Sequence, residues 1–260
     1  MFSDFIKAIL LGIIEGLTEF LPVSSTGHLI IVGDLLNFTN HHSATFDIAI
    51  QLGAIMAVVV LYRQFFYDTF QPSAWLKPNM IKIIIAIVPA LTLAFFSYGF
   101  IKRVLFSSNT VVIGLIVGSI IMILVERFFT LNPSSQSIDD ITYRQALIIG
   151  LAQCFSLWPG TSRSGSTIVG GLLSGLSYEC SARFSFIIAV PVMLAAVSYD
   201  LLKSYATLSV MDFQLILTGL IVSFIVALFA IQTFIACLTK FKLFPFAIYR
   251  IILALIVIIL

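Results

Sequence analysis

The sequence predicts an all-α polytopic membrane protein, and three observations carry that expectation. First, 60% of its 260 residues are hydrophobic, 10% are charged, and the mean hydropathy is +1.12. Soluble domains run near 45–50% apolar and about 25% charged. Second, several uncharged runs are long enough to cross a bilayer. Third, short apolar pieces broken by Gly, Pro and Ser occur twice, half a chain apart. With 14 Lys and Arg against 12 Asp and Glu, the chain cannot coat a water-exposed surface of its size. That excludes a soluble enzyme, a disordered chain and a nucleic-acid binder, and a net charge of +2 gives no pull on polyanions. Cys154, Cys180 and Cys237 sit inside apolar runs, so neither a disulfide framework nor a CxxC metal site is expected. The N-terminal run 6–14 contains Lys7, stops at Glu15 and lacks a small-residue cleavage pattern, so it does not read as a signal peptide.

Taken in chain order, runs 2–14 and 20–33 are apolar but too short to cross a hydrocarbon core of about 30 Å, which takes about 20 helical residues. Run 48–62 spans with help from flanking polar residues. The stretch 63–82, with Pro72, Ser73, Pro78 and Asn79, reads as a turn-rich, net-positive loop. Runs 83–101 and 104–125 span easily, although Lys102 and Arg103 between them pull against any orientation drawn from the first loop. Asp139-Asp140 lies in a polar junction. Segments 145–158 and 166–176 are again short, 184–199 and 213–239 span, and 241–260 spans if Lys242 and Arg250 snorkel to the head groups. The expectation is therefore about six transmembrane helices and four short re-entrant half-helices. Irregular backbone between half-helices is tolerated only where protein or a watery cavity satisfies it.

The two broken regions resemble each other. Gly12-Ile-Ile-Glu15, Phe20-Leu-Pro22-Val-Ser24-Ser25-Thr26-Gly27-His28 and Ile31-Val-Gly33 read against Gly150-Leu-Ala-Gln153, Trp158-Pro159-Gly-Thr161-Ser162-Arg163-Ser164-Gly165-Ser166 and Val169-Gly-Gly171. Matching proline to proline leaves Leu21 extra in the first copy and Arg163 extra in the second. Phe46-Asp-Ile-Ala-Ile echoes Phe184-Ser-Phe-Ile-Ile at the offset of 138 that separates Gly12 from Gly150. The chain thus reads as one integral membrane domain, 1–260, with one repeat over about 1–130 and another over about 140–260. Three crossings per half would invert the second copy, an arrangement transporters also use.

Chemistry concentrates at these breaks. Glu15 and Glu19, four apart, share a helix face; each carboxylate costs about 2.5–3.5 kcal/mol in a membrane segment. A proton, a hard divalent cation or an arginine can compensate, unless both glutamates merely cap a helix at the head groups. Ser24, Ser25, Thr26, Gly27 and His28 supply hydroxyls, a chain break and an imidazole, with free N–H groups where the helix reopens. The second loop, Thr161, Ser162, Arg163, Ser164 and Gly165, adds a permanent cation that can fork onto phosphate or simply neutralise a glutamate. Together the set suits phosphoryl transfer, with Ser25 or His28 as nucleophile. Arg183, Asp47 and Asp200 read as interface anchors, and His41 and His42 as solvated loop residues.

The first motif, Glu15 through His28, with Pro159-Gly-Thr-Ser-Arg-Ser-Gly165, resembles the signature pair of the bacterial undecaprenyl-diphosphate phosphatases, the bacitracin-resistance family. The likeness extends to Phe46 through Gly53, Gln145 through Gln153, and Ala182 through Pro191. It implies an inner-membrane enzyme that converts a C55 isoprenyl diphosphate to the monophosphate, with inverted repeats, a homodimer and an active site open to the outer side. It further implies a divalent cation (Mg²⁺ or Ca²⁺) tied to Glu15 and Glu19, catalytic roles for Ser25 and His28, and a diphosphate grip by Arg163. The chain departs from the family pattern at Tyr178, where Arg is usual, and in a short 63–82 loop. The rival reading is a polyprenyl-phosphate transporter or flippase; release of inorganic phosphate separates the two.

Overall fold

A computed structural model describes the chain apart from residues 1, 39–42, 72, 74, 76, 106, 130–132 and 260, and apart from the side chains of Tyr98, Lys102 and Ser108. His41, His42, Pro72 and the Lys102 side chain therefore lie outside the described residues. Those described form eleven α-helices and no strand: α1 (Phe2–Thr18), α2 (Ser25–Leu35), α3 (Ser43–Leu61), α4 (Arg63–Phe70), α5 (Pro78–Phe100), α6 (Ser108–Phe128), α7 (Tyr143–Gln153), α8 (Arg163–Leu173), α9 (Tyr178–Ser204), α10 (Val210–Phe241) and α11 (Phe244–Ile259).

Five of these, within α3, α5, α6, α9 and α10, are long and apolar enough to cross a membrane. The expected sixth, α11, has 16 residues, about 24 Å of rise. Its start is set by Lys242, whose φ of 61° ends α10, and by Glu126, whose Oε2 accepts from the Leu243 and Phe244 amides at 2.6 and 3.1 Å. The short segments α2, α7 and α8 have 11 residues each, about half a hydrocarbon core. Helix α1 is longer than its apolar run because it continues through Glu15 to Thr18. The 63–82 stretch is not simply a loop: α4 occupies its first part, with Gln64 donating to Asp68 one turn on at 3.0 Å.

Helix starts follow local chemistry. Ser107 with Thr110, Thr142 with Gln145, and Ser209 with Asp212 form capping boxes, each satisfying two N–H groups that the first turn leaves free. Pro89 and Pro191 lie inside α5 and α9, where neighbouring protein can accommodate the missing donor.

Large apolar side chains face outward as well as inward, and small polar ones are buried between helices. Phe96, Phe229 and Ile259 stand 81%, 71% and 83% exposed on the outer surface, while Ser119, Ser185, Ser223 and Thr167 are completely buried. Without water to drive helices together, close approach of small residues does the work. Gly12 and Gly16 of α1 lie against Gly219 and Ser223 of α10, where an added Cβ would come within 2.6 Å of backbone oxygens. Gly150 of α7 lies in the same way against Ala86 of α5, at 2.7 Å. So α1 packs on α10 as α7 packs on α5.

Two expectations about charged residues are corrected. Arg250 does not snorkel; it is completely buried, and backbone carbonyls inside the bundle accept from both of its terminal nitrogens. Asp200 is 2% exposed and so is no interface anchor. Arg183 does stand at the surface, pairing with Glu179 at 2.5 Å. The junction is tied down by Lys82, which donates to the Asp139 carbonyl at 2.8 Å, and by Asn79, which donates to the Asp139 carboxylate at 2.7 Å.

Candidate active site

The two chain breaks end in the same kind of helix cap. Ser24 (φ 70°, ψ 88°) caps α2 and Ser162 (φ 75°, ψ 120°) caps α8. Both lie in the positive-φ region that side chains disfavour, at a cost of about 1–3 kcal/mol each. Each serine hydroxyl accepts from the amide of a glycine three residues on, Gly27 at 3.3 Å and Gly165 at 3.1 Å. Ser25 and Arg163, 138 positions apart, thus occupy the same first position of α2 and α8. At the same offset Pro22 stands against Gly160, and both carbonyls accept from Arg250.

Glu19 joins those two equivalent residues. The Ser25 hydroxyl donates to Glu19 Oε2 at 2.5 Å, and Arg163 Nη2 donates to Glu19 Oε1 at 2.9 Å. Arg163 is held from behind as well: Nη1 donates to the Ser185 carbonyl at 3.0 Å, and its guanidinium lies 5.6 Å from the Phe20 ring centre. Ser185 is buttressed by Thr167 at 2.6 Å, and Phe20 by an edge contact with Phe186 at 4.9 Å. The pair is nearly buried, with side-chain exposures of 13% and 5%, so it is less screened than a surface bridge.

A cavity of about 210 Å³ opens over this pair. Of the residues singled out from sequence, Glu19, Ser24, Ser25, Thr26, Ser162 and Arg163 line it. Gly27 and Gly165 serve the caps instead. Ser164 is buried and donates to the Leu21 carbonyl at 2.7 Å, linking one loop to the other. The Thr161 hydroxyl donates to the carbonyls of Phe155 and Trp158. Gln51, Ser156, Trp158 and Met193 also line the cavity. Gln51 carried a signal in the sequence, as a polar residue inside the run 48–62, and Trp158 belongs to the second broken motif; Ser156 and Met193 are placed by the tertiary fold alone.

Glu15 and His28 do not line the cavity. Glu15 is completely buried, and neither carboxylate oxygen has a partner. Its counterpart at the same offset, Gln153, is also buried with an unpartnered amide. His28 Nδ1 lies 2.7 Å from the Ser24 carbonyl and Nε2 lies 2.7 Å from the Tyr249 hydroxyl. A carbonyl can only accept, so Nδ1 carries the hydrogen, and in a neutral ring the tyrosine donates to Nε2. His28 thereby steadies the strained cap.

The fit of a divalent cation can be judged from these donors. Two hard oxygens on Glu15 are buried and unused, one turn from Glu19, which suits Mg²⁺ or Ca²⁺. Among the described residues no three His, Cys, Asp or Glu side chains gather to enclose a metal unaided, so phosphate and water would complete the shell, as Mg²⁺ commonly requires.

The chain is similar over nearly its whole length to proteins of one family. Residues 8–256 match the family model described as bacitracin resistance protein BacA. The chain is 48% identical over 256 residues to undecaprenyl-diphosphatase 1 of Bacillus anthracis, covering 97% of this chain and 96% of that protein. It is 46% identical over 256 residues, with the same coverage, to the undecaprenyl-diphosphatase of Desulfovibrio desulfuricans. It is 46% identical over 248 residues to that of Thermoanaerobacter pseudethanolicus, covering 94% of this chain and 92% of that protein.

Proposed function

The chain belongs to the bacitracin resistance protein family, and from that premise we propose how its site works as an undecaprenyl-diphosphate phosphatase. It hydrolyses undecaprenyl diphosphate within a multi-pass membrane protein. The observation that carries the proposed mechanism is the bridge from Ser25 through Glu19 to Arg163.

In this reading Arg163 and the amino ends of α2 and α8 hold the diphosphate over the cavity. Ser25 Oγ attacks the terminal phosphorus while Glu19 Oε2 takes its proton. The bond from that phosphorus to the bridging oxygen breaks, and the lipid monophosphate leaves with the proton returned by Glu19. Water then attacks the phosphoserine as the ionised Glu19 takes its proton; the bond from phosphorus to Oγ breaks, Glu19 returns the proton to Oγ, and inorganic phosphate departs. Glu15 and Glu19 would hold a divalent cation, which when bound offsets phosphate charge and polarises a phosphoryl oxygen. His28 positions the Ser24–Ser25 peptide. Ser24, Thr26 and Ser162 supply polar contacts at the cavity wall, while Gly27, Thr161, Ser164 and Gly165 keep the two loops in shape.

The wider setting is part of the same reading. The matched caps and the parallel packing of α1 on α10 and α7 on α5 support two repeats, about 1–130 and 140–260, inverted within one domain. Family resemblance supports residence in a bacterial inner membrane, an opening towards the outer side, pairing into a homodimer, and a role in recycling the cell-wall lipid carrier.

Acid quenching of turnover with substrate radiolabelled in its terminal phosphate tests the mechanism. Acid-stable label on Ser25 is expected; acid-labile label on His28, or none on the protein, overturns the assignment.

A further inference from the structure

Arg250 is the largest fully buried side chain in the described structure, and neither the motifs nor the mechanism above accounts for it. Its guanidinium reaches three parts of the chain at once. Nη1 donates to the Pro22 carbonyl at 3.0 Å and the Thr161 carbonyl at 2.9 Å. Nη2 donates to the carbonyls of Gly160 at 2.9 Å, Gly114 at 3.0 Å and Leu115 at 3.3 Å. Pro22 belongs to the first chain break, Gly160 and Thr161 to the second, and Gly114 and Leu115 to α6. No residue at the equivalent place in the first half could do this, since the residue 138 positions earlier is Val112.

From these contacts we infer that Arg250 is a positioning residue for phosphoryl transfer: it clamps the two loops in register so that Ser25 and Arg163 meet at Glu19. A trans peptide is planar, with its C=O and N–H opposed. Holding the Thr161 carbonyl therefore fixes the plane of the Thr161–Ser162 peptide, in the loop whose Ser162 lines the cavity. The neighbouring Tyr249 adds a second tie through His28 to the Ser24 carbonyl. Helix α11, which supplies no residue to the cavity wall, thus sets the geometry of both loops. Arg163 has its own tether at Ser185. Loss of the clamp therefore spares the grip on the diphosphate and spoils the alignment of the serine with the phosphorus.

The inference rests on the proposed reading of the cavity, and one set of measurements separates the two. Phosphate release by the wild-type chain in detergent tests that reading; the ratio of variant to wild type tests the clamp. R250K keeps the charge, but one ammonium cannot span acceptors on three elements. R250Q removes the charge. In both, kcat is expected to fall about 100-fold, the scale set by a misplacement near 1 Å, while KM stays within about threefold. Because a buried arginine can be needed for folding, G118A provides an arm that keeps it. Its new methyl would overlap the Arg250 guanidinium and lie 3.1 Å from the Thr161 carbonyl, so the guanidinium must give up part of its hold; the same split is expected when the variant is assayed below its own thermal midpoint. Wild-type kcat in folded R250K or G118A, or a loss carried wholly by KM, overturns the inference.

Discussion

The two loops, residues 19–28 and 157–166, share a helix cap and divide the chemistry. Each reopens a helix from a positive-φ serine whose hydroxyl accepts from a glycine amide. At the next position one carries Ser25 and the other Arg163, and four residues into the cap one has His28 where the other has Ser166. Upstream, Glu15 faces Gln153 as its counterpart. The lesson is physical. Two helix amino ends attract phosphate equally well, yet attack at phosphorus needs a nucleophile and its base on one side and a charge-neutralising fork on the other. Identical loops would supply two of one and none of the other.

The largest way to break this division is to remove the nucleophile. S25A is expected to lower kcat at least about 10³-fold and to abolish acid-stable labelling, with Arg163 still paired to Glu19. Retention of more than a tenth of wild-type turnover would sink the serine mechanism. Next, R163K should cost about 10²-fold in kcat/KM, because a single ammonium cannot serve Glu19, Ser185 and a phosphate together; steady-state kinetics check this, and near-normal kcat/KM would show that charge without the fork suffices.

A third variant makes the halves more alike. E15Q gives the first half the amide that the second half already carries at Gln153. It should leave the fold intact, since Glu15 makes no hydrogen bond to lose, and should raise the Mg²⁺ needed for half-maximal activity about tenfold or more. Titration after chelator treatment measures that shift, and an unchanged titration removes Glu15 from cation binding. The smallest effect belongs to Y249F, which deletes the hydrogen bond to His28 Nε2. One such bond is worth about 0.5–1.5 kcal/mol, or about two- to tenfold in kcat, with KM unchanged. A loss as large as that of S25A would instead give His28 a direct part in the chemistry.

Much of the fold was legible because the bilayer constrains it. Runs long enough to span became α3, α5, α6, α9 and α10. Reading failed where a tertiary partner overrode a local signal. Arg250 looks from sequence like any cation near a membrane end, and only the convergence of carbonyls from Pro22, Gly160, Thr161, Gly114 and Leu115 makes its burial tolerable. The same holds for α4, whose turn-rich surroundings hide an eight-residue helix.

The candidate site was half legible. Glu19, Ser25 and Arg163 stood out because a membrane segment tolerates such groups only for a reason. His28 stood out equally, yet its hydrogen bonds point to Ser24 and Tyr249 rather than to the cavity. The sequence by itself determined the membrane setting, the doubled broken helices and the short inventory of polar groups, since composition and period are properties of the chain. The tertiary structure alone decided that Ser25 and Arg163 are equivalents meeting on one carboxylate, and that a buried arginine 87 residues beyond Arg163 holds both loops. Hydrogen bonds between residues that distant leave no periodic trace in sequence; they arise only when the helices carrying them pack.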